Sequence, residues 1–498
     1  MLITRRKAVL TTLFGTGLVG LRSLVTGLST GFILNPRKAL ADSDAGGGCT
    51  ATGGKAQFII FATSGAGDPI LQNAPGTYDN YNAMSGSTTV GPPVHPDPTT
   101  SPGWSNAGQF TSTINNKTYA CAGAWSDLAT AYPWLAARMQ FFHMMSNIQI
   151  HPQEPNALKL NGFSSNGDML PSLLAAQLQP MLCTIQAQPI SVGATSPTEA
   201  ISYQGAPQPI IPPTALKATL VAPATGALSN LAKLRSLRNQ TLNQLVFPIY
   251  KSAGSPAQKA YIDSMTNSEA DLMKAVTSAA VSNLSKIADD TANSQLQAAI
   301  ILFQLNITPV VSVHLDFGND NHFDTDLVTE ATATMGMLQV PSAKGSGFAG
   351  TGGALGNFVD YLDSTSDTIN GTAMKDMVTL MTLNVFGRTF VVNSPTSLAT
   401  SGRNHNFQYQ GSLVIGKGFK GGVVGGLAAA PYFGQFDYGA ANIDPNLGTP
   451  GGSIQAVDTA CAFAQTMIQG VGGDPSVVLQ GGASGPNKTG QVVTGALA

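Results

Sequence analysis

Charge is what this sequence has least of. Only 10% of its 498 residues are Asp, Glu, Lys or Arg, against about a quarter in ordinary soluble domains. The first 41 residues hold six of the 25 basic residues and no acidic ones. Set aside, they leave 19 basic residues against 27 acidic ones, a charge of −8. Nucleic acid is thereby excluded as a partner, because phosphate binding needs a basic footprint. Cysteine is scarce as well. Cys49, Cys121, Cys183 and Cys461 lie too far apart for a CxxC metal knuckle. In an oxidising compartment they leave one or two disulfides open, with three pairings if all four join. A reduced, buried Cys461 in an apolar helix is equally open. No apolar run reaches the roughly 20 uninterrupted residues of a membrane span, since Arg22 divides the one long candidate. In place of charge the chain has 55 glycines and many uncharged polar residues. Those imply plentiful loops and a surface rich in Ser, Thr, Asn and Gln.

The amino-terminal residues read as an export signal. Arg5-Arg6-Lys7 form a basic start, two apolar stretches run to Leu34, and Ala39-Leu40-Ala41 gives the small-x-small pattern read by signal peptidase. The paired arginines point to the twin-arginine route, which carries folded proteins, with cleavage after Ala41. An ordinary secretory signal or a signal anchor is the plainer alternative. The expected organisation is a signal over 1–41, a Gly-rich leader over 42–56 and one α/β domain over 57–498. The mature chain is expected in the periplasm or outside the cell, without a transmembrane helix.

Within the domain, Gln57–Ala62 is a short apolar run closed by Ser64-Gly65-Ala66-Gly67-Asp68, as a buried first strand would be. Residues 72–118 read as a long surface excursion. A helix is expected over Trp125–Ala137 and a strand over Met139–Met145. Prolines at 207, 209, 212 and 213 argue against long helices from 163 to 225. Apolar residues at helical spacing, among them Leu231, Leu234, Leu272 and Val276, predict a helical layer over about 228–304. Beyond it the pattern predicts strands at Val310–Leu315, Met377–Leu383, Leu413–Ile415 and Val477–Leu479. Helices are expected to include Asn357–Asp363 and Ala456–Ile468. Apolar strands alternating with helices predict a doubly wound, mainly parallel sheet covered on both faces.

Ligand sites in such sheets lie beyond the carboxyl ends of the strands, and the unusual polar groups fall there. Asp68 follows the first strand, and His143 and Asn147–His151 belong to the second. Asp316, Asp320, His322 and Asp324 follow the third, and Arg388 and Arg403-Asn404-His405 follow the fourth. Carboxylate and imidazole suit zinc or a similar ion. Each group also has a plainer reading. Asp320-Asn321-His322 can be a polar turn, and Asn404-His405 a loop cap. Arg388 can pair with a carboxylate, Asp68 can close its turn, and His151 beside Pro152 reads as structural. His95, in a Pro-rich loop, is set aside.

The stretch Asn384-Val385-Phe386-Gly387-Arg388-Thr389, then Gly402-Arg403-Asn404-His405, then Gly416–Val423 resembles a family of exported bacterial proteins. These are grouped as domain of unknown function 1501. That family shows Ser-Glu-Phe-Gly-Arg-Thr, Gly-Arg-Asp-His and a glycine-rich Lys-Gly-Gly segment. Its Trp-Asp-Thr-His motif is similar to Asn319-Asp320-Asn321-His322. The resemblance implies an alkaline phosphatase-like α/β fold with a metal site above the strand ends. By it, Asp320 and His322 would hold one ion, and His405 with Asn404 a second, with Asp68 in the first turn as a further ligand. Arg388 would face an anionic ester, and Ser64 is the nearest hydroxyl for a nucleophile. Zinc is the first expectation, with manganese or calcium as alternatives.

The departures from the pattern bear on the chemistry. The family's glutamate is Val385, its aspartate is Asn404, and no histidine follows His405. Two lost negative charges weaken the attraction for a hard cation. Two functions of different class therefore stay open: an exported metal-dependent hydrolase of phosphate or sulfate esters, and a non-catalytic surface-assembly or binding protein that keeps the fold.

Overall fold

The computed structural model of the chain describes residues 55–64, 74–77, 107–220, 283–315, 322, 336–390, 404–430, 432, 437–478 and 491–498. Short gaps fall inside these ranges, chiefly at 194–200 and 365–367, and three single positions between 221 and 282 are also described. The expected signal and leader lie outside the described residues, as does most of the expected helical layer.

Seven strands make one mixed sheet: β1 (Phe58–Thr63), β2 (Met139–Met144), β3 (Ile190–Ser191), β4 (Val310–His314), β5 (Val378–Thr382), β6 (Gln410–Ile415) and β7 (Gly422–Val424). Their order is β7-β2-β6-β5-β1-β4-β3. Only β6 runs against the rest. It pairs antiparallel with both β5 and β2, while all other neighbours pair parallel.

Every residue of β1, β2, β5 and β6 is buried. Successive side chains on a strand point to opposite faces, so both faces must be covered. The covering helices are α1 (Gly123–Ala131), α2 (Leu170–Leu182), α3 (Ala292–Gln304), α4 (Ala354–Asp363) and α5 (Thr459–Gly470). Adjacent residues of β2 show the two sides directly. Phe142 meets Phe463 of α5 with ring centroids 5.3 Å apart. Phe141 turns the other way, meeting Trp125 of α1 at 4.9 Å and Phe110 at 5.5 Å. On the same face as Phe141, further along the strand order, Phe58 of β1 meets Phe303 of α3 at 5.0 Å. The α/β architecture expected from the alternating pattern is present.

Several local expectations are corrected. The helix expected over Trp125–Ala137 stops at Ala131, and a separate turn begins at Pro133. The residue before a proline is pushed out of the helical region, and Tyr132 has φ −127° and ψ 84°. The stretch 163–225 does contain a long helix. In α2, Pro171 sits in the first turn, where no helical N–H is needed, and Pro180 falls near the end. At the end of the expected excursion over 72–118, Ala107–Thr111 pairs with Thr118–Ala122 in a hairpin that runs on beyond it. Of the last strand expected at Val477–Leu479, Val477 ends a 3-10 turn over Pro475–Val477, Val478 makes a single antiparallel bridge to Ser164, and Leu479 lies outside the described residues. The Asp474 side chain accepts from the Ser476 amide at 2.9 Å, a local bond that competes with strand pairing.

Cys121 and Cys461 are both buried. Burial pushes the Cys121 thiol up to about 12. Cys49 and Cys183 lie outside the described residues. Among the described residues no helix is long and apolar enough to cross a membrane.

Candidate active site at the carboxyl rim

The carboxyl ends of β1, β2, β4 and β5 share one rim with the amino end of β6, because β6 alone is reversed. Backbone bonds extend the sheet one step further, from Leu315 to Thr63 at 3.0 Å and from Leu383 to Ala62 at 3.1 Å. Segments distant in the chain therefore emerge side by side: Ser64, residues 145–162, His322, Asn384–Arg388 and His405–Tyr409.

A two-residue ladder sets the centre of the site. Gly387–Arg388 pairs antiparallel with His405–Asn406, placing Arg388 directly opposite His405. Opposed residues in such a ladder share a face, and so does the residue two before Arg388. Phe386 accordingly stacks on His405, with centroids 4.0 Å apart and planes 22° from parallel. The Arg388 guanidinium lies 5.7 Å from the Phe386 ring. His322 arrives after β4 and sits 4.8 Å from His405, ring to ring. Arg388 Nη1 donates to His322 Nε2 at 3.4 Å, and Arg388 is only 2% exposed.

The region after β2 completes the cluster. His151 lies 4.7 Å from His405 and 4.8 Å from Phe386, edge to face in both cases. Two residues earlier, the Gln149 carbonyl bonds His405 Nδ1 at 2.7 Å. A carbonyl can only accept, so Nδ1 carries the proton and Nε2 the lone pair. Burial, helped by the nearby Arg388 charge, lowers the His405 pKa to about 4. The ring is neutral at pH 7.

This corner is tightly fastened. Asn147, Leu160 and Asn161 all have left-handed φ, between 53° and 58°. Such strain persists only where the surroundings fix it. Here the Asn147 amide bonds the Phe407 carbonyl at 3.0 Å, and the Asn161 side chain bonds the Ser146 carbonyl at 2.8 Å.

His322, His405 and Arg388, read from the sequence as site residues, therefore meet. Ser64 is fully buried at the tip of β1, and its hydroxyl has no hydrogen-bond partner among the described residues. Asn404 joins through its backbone, exchanging bonds with Thr389. Asp68 and Asp320 lie outside the described residues, as do Asp316, Asp324 and Arg403. His143 is a core residue. Its Nε2 donates to the Pro75 carbonyl at 3.1 Å, and its Nδ1 accepts from the Tyr409 hydroxyl. Burial lowers its pKa to about 4.

Two contributors escaped the sequence reading. His151 beside Pro152 read as structural, yet its ring lies against His405. The Gln149 carbonyl has no side-chain signature at all.

Two features of the resemblance take on different roles. Val385 is buried in a small apolar cluster with Ile148, Ala157 and Phe386. The glycine-rich segment 416–422 lies at the opposite edge of the sheet, between β6 and β7. There a Cβ on Gly421 would stand 1.8 Å from the Ala136 carbonyl oxygen, and one on Gly418 2.0 Å from that of Gly470. Those glycines permit close packing.

The fit to a divalent ion is carried by His405. It is neutral, and its second nitrogen is fastened to a backbone carbonyl, the arrangement metal-bound imidazoles use to fix their tautomer. His322 instead turns its Nε2 to Arg388. Among the described residues no three His, Cys, Asp or Glu side chains converge as a metal centre as they stand. No family model matches the chain, and neither a curated protein nor a solved structure matches it.

Proposed function

We propose that the carboxyl rim is the active site of an exported hydrolase acting on a phosphate or sulfate ester. The observation that carries this reading is the meeting of His322, Arg388 and His405 at one place, with His322 and His405 ring centroids 4.8 Å apart. A buried guanidinium among neutral rings is suited to an oxyanion, through charge-assisted and bidentate bonds. His405 and His322, with Asp320 and Asp68 from the adjoining segments, would hold a divalent ion, zinc first and manganese or calcium as alternatives. Such an ion supplies a polarised ester oxygen and an activated water or hydroxyl. Arg388 orients the anion, Phe386 and the rings keep water from its flank, and the Ser64 hydroxyl is the candidate nucleophile. In this reading the sheet is an alkaline phosphatase-like framework. The Arg5-Arg6 signal directs the folded chain through the twin-arginine route to the periplasm or beyond.

The test is metal analysis of the purified mature chain together with turnover of generic phosphate and sulfate esters. Stoichiometric zinc, manganese or calcium and measurable turnover are expected, both abolished by the double change Asp320→Ala, His322→Ala. Turnover unaffected by that change sinks the reading.

A second reading is favoured by Val385. Where the resemblance calls for a glutamate, this chain buries a valine among Ile148, Ala157 and Phe386. A fold that kept its rim but converted a ligand position into core would serve as an exported binding or surface-assembly component. Absence of both metal and turnover would support it.

A further inference from the structure

Arg388 carries a full charge and is only 2% exposed. Its place is fixed twice over. The ladder sets it opposite His405, and the Phe386 ring lies 5.7 Å from its guanidinium. His405 is fixed in turn by the bond between its Nδ1 and the Gln149 carbonyl. His322 belongs to neither strand of that ladder. It follows β4 in the chain, is itself partly exposed, and meets Arg388 Nη1 through its Nε2 at 3.4 Å. A guanidinium can only donate, so this Nε2 holds a lone pair and the His322 ring is neutral in the contact. The bond is long for a hydrogen bond, and a neutral acceptor is a weak match for a buried cation. An oxyanion on the same nitrogen would bond at about 2.7–2.9 Å, with roughly twice the strength.

We propose that the contact between Arg388 and His322 is the resting form of an oxyanion site, and that an arriving oxyanion takes Nη1 and displaces the His322 ring. This rests on the anion-binding role given to Arg388 above. It adds that His322 competes with the anion for the guanidinium. The buried cation stays where the ladder and Phe386 hold it, and one partly exposed side chain vacates the nitrogen by turning about its own torsions. A guanidinium edge presents parallel N–H groups that match a pair of oxygens on one centre. The ligand class is therefore a phosphate- or sulfate-type oxyanion, either free or at the end of an ester. The resting contact lowers the apparent affinity, because only the vacated fraction of molecules binds.

The experiment uses the full chain freed of metal by chelation, so that no ion binds phosphate in place of Arg388. Inorganic phosphate and phenyl phosphate are titrated by calorimetry against the parent, His322→Ala and Arg388→Lys. Phosphate is expected to bind the parent, and to bind His322→Ala roughly threefold to tenfold more tightly. Arg388→Lys is expected to bind it about tenfold more weakly. Phosphate affinity in His322→Ala equal to or below the parent's overturns the proposal, as does a parent that binds no phosphate. Thermal melts establish that each variant folds. If His322→Ala does not fold, the ¹⁵N spectrum of the histidine-labelled parent decides. Saturation with phosphate is expected to shift one histidine Nε2 resonance as its bond to Arg388 breaks, and an unmoved spectrum overturns the proposal. The phenyl phosphate arm separates this idea from the hydrolase. Phosphate held more tightly by His322→Ala, with phenyl phosphate neither bound nor hydrolysed, keeps the competitor and removes the hydrolase. Phenyl phosphate hydrolysed by the parent, with phosphate affinity indifferent to His322, does the reverse.

Discussion

The two edges of the central sheet solve the same problem in opposite ways. At the amino edge, charges meet charges. Arg138 pairs with Asp376 at 2.8 Å and Lys375 with Asp363 at 3.1 Å, and the Trp134 ring lies under both cations. These groups are partly exposed, where pairs contribute little and water can replace either partner. At the carboxyl edge a buried guanidinium is set among neutral rings, and burial keeps His405 neutral beside it. The first edge is built for tolerance. The second commits polar groups that water cannot easily rescue, which is the condition under which functional groups acquire unusual properties.

The contrast can be broken, starting with its largest expected effect. Arg388→Lys keeps the charge but loses the planar fork. Ester turnover should fall on the order of 10²- to 10³-fold, with the melting temperature little changed. Turnover equal to the parent would remove Arg388 from the chemistry. Next comes pH. His143 is neutral when folded, with a pKa lowered from 6.5 to about 4 by burial. The unfolded chain therefore binds its proton first as pH falls. Stability from this group is intact above about pH 6.5 and is lost through the window down to about 4, by roughly 3 kcal/mol at most. Urea melts at pH 7 and 4.5 should show a steeper loss in the parent than in His143→Gln; equal losses would mean His143 is not the group titrating. Third, Gly421→Ala forces a Cβ against the Ala136 carbonyl and should cost about 2 kcal/mol, measured by the same melts. Smallest is Asp376→Asn at the amino edge, expected to cost under about 1 kcal/mol. A larger loss there would erase the distinction between the two edges.

How much of this was legible in the sequence varied with the physical origin of each feature. Strands buried on both faces betray themselves as apolar runs, and β1, β2, β4 and β5 were all located to within a residue or two. The reversal of β6 has no such mark, because direction depends on pairing with residues 33 to 276 positions away in the chain. The rim was legible where polar residues followed strands, as with His322, Arg388 and His405. It was not legible where the contribution came from backbone or from a turn. Gln149 acts through its carbonyl, and His151 through a corner that depends on three left-handed residues. The thirteen-residue α2 was missed because the prolines weighed against a helix, at 207 to 213, lie beyond it, and of its own two Pro171 stands in the first turn, where no helical N–H is needed.

Residues 491–498 carry a consequence of their own. Ala496 gives its carbonyl to Gln140 at the start of β2 and to the Lys420 amide, while Leu497 bridges Phe419. Those partners emerge from the ribosome as much as 356 residues earlier. One end of the sheet thus stays unsealed until residues 496 and 497 have been made, and a chain halted short of that point carries an open seam that quality-control proteases could recognise.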